Sequence, residues 1–144
     1  MATTLQKPRR KPPPFRLIAP VIREFALHVQ IARVLELELD RAGHPSPSGV
    51  MWFSIEHAGY TGAVPGTRTA KGVISGCPDL IIIYKGRCFW IELKAADGRL
   101  SKAQQEIHAV LAAAGCQVTV ARNAEEVLGA LDAWGIPRAH RTAL

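Results

Sequence analysis

The stretch "PDLIIIYKGRCFWIELK", residues 78–94, limits what this chain can fold into more than any other. Two runs rich in β-branched and aromatic residues flank the dipeptide Lys85-Gly86, which is the pattern of a β-hairpin with a two-residue turn. That turn fixes the register. Tyr84 faces Arg87, and counting outward along both strands sets Asp79 opposite Glu92, with Cβ atoms about 4.5–5.5 Å apart. Side chains alternate along a strand, so Glu92 and Lys94 share one face while Phe89, Ile91 and Leu93 take the other. The apolar set is expected to fill the core and the charged pair to stay clear of it.

Two carboxylates at that distance repel, and the hairpin needs a compensating charge. A divalent cation supplies one. Mg2+ suits the pattern, with Mn2+ able to substitute, because it takes one or two carboxylates, keeps several waters and pairs with phosphate oxygens. Lys94, one side-chain period beyond Glu92, would stand beside the ion, able to orient a water or to steady charge developing on a phosphate. Asp79 as a turn acid behind Pro78, with Glu92 and Lys94 as a solvated stripe, is the plainer explanation. It accounts for each residue singly but not for their matched register.

Around the hairpin the chain reads as one domain. Residues 21–41 have helical periodicity, stopped by Gly43 and Pro45, and "VMWFSI" (50–55) reads as a strand. Residues 56–76 are rich in Gly and small polar residues and read as a long loop, with a helical turn near Arg68 to Lys71. "LSKAQQEIHAVLAAAG" is a helix with Ser101 as N-cap, Gln104 at the capping-box position and Gly115 past its end. "CQVTVAR" (116–122) is a strand, and "NAEEVLGALDAWG" a helix capped by Asn123 and stopped by Gly135. The order α-β-β-β-α-β-α predicts an α/β fold, a mixed central sheet flanked by helices. The strand at 116–121 should run parallel to 87–94 after its helical crossover. The division expected is a basic, Pro-rich disordered tail over 1–20, a domain over 21–137 and a C-terminal tail over 138–144.

Eighteen Lys and Arg against twelve Asp and Glu give a net charge of +6, which suits a polyanionic partner without proving one. Three cysteines with no CxxC pair argue against a disulfide framework or a zinc site and fit a reducing cytoplasm. No apolar run is long enough for a membrane span, and no signal-peptide pattern opens the chain.

The segments "GCPDLIII", "FWIELKAADGRLSKAQQEIHAVLAAAGCQVTVAR" and "EEVLGALDAWGI", with "EFALHVQIARVLELEL" ahead of them, resemble the VRR-Nuc branch of the PD-(D/E)XK nuclease superfamily over about residues 22–137. The resemblance implies a restriction-endonuclease-like core and metal-dependent hydrolysis of phosphodiester bonds in DNA. Asp79 and Glu92 would hold the metal, joined by the Leu93 backbone carbonyl, and Lys94 would be the catalytic lysine. Gln104 would support the lysine and substrate, and Glu24 would be the first-helix acid approaching the metal. Gln104 is also explained by the Ser101 capping box. Arg68, Lys71, Arg99 and Lys102, with Arg122, are candidate phosphate contacts, while His28 and His57 have no assigned role. Compact members of this type resemble phage or prophage proteins, structure-selective cutting at a junction, flap or nick would suit so small a domain, and a homodimer would suit cutting of two strands. The rival is a nucleic-acid-binding module on the same fold that does not cut.

Overall fold

A computed structural model describes residues 19–55, 72 and 74–140. Arg68, Lys71, His57 and the helical turn expected near 68–71 lie outside the described residues, as do most of the two tails. The elements run α1 (Ala19–Leu39), β1 (Met51–Ser54), β2 (Leu80–Tyr84), β3 (Arg87–Leu93), α2 (Lys102–Ala113), β4 (Gln117–Ala121) and α3 (Ala124–Ala133). This is the expected mixed α/β order, consistent with a restriction-endonuclease-like core.

The first helix ends two residues earlier than its periodicity suggests. Asp40 adopts a left-handed φ of 81°, which a short polar side chain tolerates. Its carboxylate accepts from the Arg41 N–H at 2.7 Å, and its carbonyl accepts from the Trp52 indole N–H at 2.8 Å. The side chain and the strand partner together replace another helical turn.

The sheet has the order β1-β2-β3-β4, antiparallel at the first two pairings and parallel between β3 and β4. Lys85 and Gly86 have φ of 48° and 72°, the two positive values of a type I′ turn, and the pairing runs from Tyr84–Arg87 to Leu80–Ile91 as the turn dictates. One more step sets Asp79 against Glu92.

One face of the sheet carries the core. Leu80 and Ile82 of β2 and Phe89, Ile91 and Leu93 of β3 pack with Ile31 and Leu35 of α1 and Val127 and Leu131 of α3. Each such side chain removed from water contributes about 2 kcal/mol. The second face was expected to leave Glu92 and Lys94 clear of burial. Instead they are 1 % and 9 % exposed. The reason is α2, which lies over that face and brings Gln104 and His108 to Glu92.

Both later helices start as their sequences foretell. Ser101 accepts from the Gln104 N–H in a full capping box, and Asn123 accepts from the Glu126 N–H at 2.9 Å. Residues 138–140, assigned by sequence to a tail, are tied to α1: the Ala139 N–H donates to the Glu38 carbonyl at 2.9 Å and Arg138 pairs with Glu38 at 3.1 Å.

Candidate active site

Five of the residues singled out by sequence come together at the C-terminal end of β3. Asp79, just ahead of β2, turns its carboxylate across the hairpin and accepts the Leu93 N–H at 2.7 Å. That bond holds the two strand ends together and fixes the acid beside Glu92. Glu92 points to the opposite side of the sheet from Ile91 and Leu93, beneath α2. Lys94 follows two residues later with its Nζ 3.1 Å from Glu92 Oε1 and 3.7 Å from Glu24 Oε1, so α1 reaches the site through Glu24.

Gln104 resolves its two sequence explanations by serving both. Its Oε1 accepts the Ser101 backbone N–H at 2.8 Å, completing the cap, while its Nε2 donates to Glu92 Oε1. One amide therefore ties the start of α2 to the buried acid.

One glycine permits the close approach of these elements, and a second shapes the turn beside them. A Cβ on Gly76, whose φ is +85°, would lie 2.5 Å from the Ala103 carbonyl group, so the loop leading to Asp79 presses against the first turn of α2. At Gly98 an added Cβ would crowd the Ala95 backbone, 3.1 Å from its carbonyl oxygen and 3.3 Å from its nitrogen, so this glycine serves the tight turn that follows Lys94. The Gly98 carbonyl also accepts from the Arg122 guanidinium at 3.2 Å, which pins the loop after Lys94 to the end of β4.

The electrostatics of the cluster are unbalanced. Burial pushes the Glu92 carboxyl up from an ordinary 4.5 to about 7, the neighbouring charges of Asp79 and Glu24 add to the rise, and Lys94 offsets part of it. Cys77, between the loop and the acids, has its thiol raised by burial and then by Glu92 and Asp79. A carboxylate offers about four lone-pair directions. Lys94 and Gln104 fill those of Glu92 Oε1, while Oε2 is buried with no hydrogen-bond partner among the described residues. Such an atom costs roughly 1–3 kcal/mol unless something reaches it.

A cation at Oε2 would relieve both the orphaned oxygen and the repulsion from Asp79. Among the described residues no three His, Cys, Asp or Glu side chains form a ready cage for a metal ion. A hard ion that keeps most of its waters and needs only one or two carboxylates fits the donors present.

Of the other basic candidates, Arg99 is exposed, and Lys102 lies 3.9 Å from Glu106 on the outer surface of α2. Neither contacts the acids in this structure. His28 shares a hydrogen bond with Ser54 Oγ at 2.9 Å, and that hydroxyl in turn donates to the Asp79 backbone carbonyl at 3.4 Å, so His28 stands behind Asp79 at the same end of the sheet. His108 escaped sequence reasoning although its spacing carried a signal: it follows Gln104 by four residues and so shares its helix face.

Compared with known families, residues 61–125 match the VRR-NUC domain. This domain belongs to the PD-(D/E)XK nuclease superfamily, and the match runs through the hairpin, α2 and β4 into the start of α3. It therefore contains Asp79, Glu92, Lys94 and Gln104, whereas Glu24 comes from α1 outside it. No curated protein and no solved structure shows significant similarity to the chain. Among the described residues no helix is long and apolar enough to cross a membrane.

Proposed function

We propose that this protein is a metal-dependent nuclease that hydrolyses phosphodiester bonds in DNA, selecting substrates by structure rather than by sequence. The observation that carries this reading is Glu92: a carboxylate buried opposite a second acid, with one oxygen saturated by Lys94 and Gln104 and the other without a hydrogen-bond partner among the described residues. A packing residue has no use for that arrangement, but a cation-binding acid does.

Asp79 and Glu92 are the residues that would hold Mg2+ or Mn2+, with the Leu93 carbonyl and Glu24 as further candidates. When bound, the ion supplies Lewis-acid polarisation of the scissile phosphate and a water of lowered pKa. The rest falls to the chain. Lys94 is held between Glu92 and Glu24, where its ammonium can orient the attacking water or meet negative charge that develops as the new P–O bond forms and the old one breaks. Gln104 holds Glu92 in place while this happens. The net charge of +6, with Arg99, Lys102 and Arg122 exposed near the site, favours a polyanionic substrate. The small domain leaves little surface for reading base sequence, which favours recognition of a junction, flap or nick.

The test is a panel of duplex, nicked, splayed, flap and four-way DNAs incubated with Mg2+, Mn2+ or chelator. Cation-dependent products from a branched or nicked member are expected. Binding without products under every condition would replace the nuclease with a non-cleaving module.

A further inference from the structure

The second orphaned atom at the site is His108 Nε2. Among the described residues it is buried without a hydrogen-bond partner, as is Glu92 Oε2, and the two atoms face each other at 3.9 Å. The side chains are 13 % and 2 % exposed, so bulk water does not serve either of them. The separation is about 1 Å longer than an ordinary N–H···O bond.

We propose that His108 is a positioning residue for the metal-binding acid: its Nε2–H donates to one lone pair of Glu92 Oε2 and leaves the other for the cation. This inference rests on the nuclease reading given above. With His108 in that role the carboxylate is held at both ends by one helix, by Gln104 at Oε1 and by His108 one turn later at Oε2. Lys94 completes the set at Oε1. Glu92 is then fixed in orientation before any ion arrives, which is the arrangement that raises affinity for a metal at a carboxylate. The imidazole serves here as a neutral donor, in keeping with burial and the nearby Lys94 charge, both of which disfavour its protonation.

The test reads metal binding rather than cleavage. Mn2+ affinity is measured by calorimetry on metal-free wild type, His108→Leu and His108→Gln, with circular dichroism to compare folding. Loss of roughly 10–100-fold in affinity is expected for His108→Leu. His108→Gln, which keeps an N–H donor, should recover most of that loss. Equal affinity in wild type and His108→Leu would overturn the positioning role while leaving the nuclease reading intact. No Mn2+ uptake by the wild type would instead remove the metal-dependent reading and this inference with it. Should the leucine variant not fold, imidazole 15N shifts of the Mg2+-saturated wild type decide the matter. A protonated Nε2 supports the proposal, and a bare Nε2 overturns it.

Discussion

One ionic cluster meets α1 at Glu24 and another meets it at Glu38, and only the second is balanced. At the C-terminal end, Arg138 reaches both Asp132 oxygens at 2.9 and 3.0 Å and Glu38 at 3.1 Å. Hydrogen bonds to Asp132, with the charges of both acids, hold its guanidinium more firmly protonated than usual. At the end of β3, two acids and Glu24 crowd one lysine, the Glu92 carboxyl rises to about 7, and buried atoms stay unpaired. Trp90 Nε1, Glu92 Oε2 and His108 Nε2 are the buried side-chain atoms without partners among the described residues, and none belongs to the Arg138 cluster. A cluster built to tie elements together satisfies its own charges. One built to receive something does not.

The contrast breaks most sharply at Glu92. Replacing Asp79 or Glu92 by Ala is expected to cut Mg2+-dependent cleavage by about 10³-fold or more, equivalent to about 4 kcal/mol of transition-state stabilisation, while weak DNA binding persists. Lys94→Met should be similarly inactive yet still take up metal. Cleavage assays beside gel-shift and metal-binding measurements check all three. An Asp79→Ala protein that cuts like wild type would place the chemistry elsewhere. At the balanced cluster the effects exchange places. Arg138→Met should cost about 3 kcal/mol of stability, because it leaves Glu38 buried without its guanidinium, and leave the cleavage rate of the folded fraction unchanged. Denaturant melts and initial rates separate the two.

A smaller effect concerns pH. Folded Glu92 keeps its proton up to about 7, whereas the unfolded chain releases it near 4.5. Between those values the folded state binds more protons, so this group's contribution to stability falls as pH rises and then levels off above 7. The full change is roughly 3 kcal/mol. His108, which burial keeps neutral, acts the other way below its ordinary 6.5. The difference in stability between wild type and Glu92→Gln, followed from pH 4.5 to 8, therefore isolates the acid. Saturating Mg2+ should flatten that difference, since a cation favours the ionised carboxylate. A flat difference without metal would show that Glu92 is not strained in the folded chain.

Much of this was legible in the sequence because it depends on counting. The turn at Lys85-Gly86 fixes the hairpin register, and the register places Asp79 against Glu92. Capping residues mark the start of α2 and α3. The burial of Glu92 and Lys94 was not legible, because alternation tells which face a side chain takes but not what covers that face. The crossover from β3 through α2 to β4 follows from the element order, but which α2 side chains it lays over Glu92 is a tertiary fact with no local signature. For the same reason His108 looked like an ordinary helix residue, and Arg138 looked like part of a tail although it anchors to Glu38 a hundred residues earlier in the chain.

The smallest expected effect separates the cap from the site at a single residue. Ser101→Ala removes the hydroxyl that accepts the Gln104 N–H at 3.2 Å and should cost about 1 kcal/mol of stability. The Gln104 side chain keeps its anchor, since its Oε1 accepts from the backbone N–H of residue 101, which alanine retains. Cleavage by the folded protein should then stay within about twofold of wild type. Gln104→Met loses the side-chain bonds to both Ser101 and Glu92, so thermal melts should show a similar small destabilisation while the rate falls well beyond twofold. If both variants lose the same activity, Gln104 acts on catalysis only by holding α2 together. If only Gln104→Met does, the capping box has been built around a residue whose other end belongs to the active site.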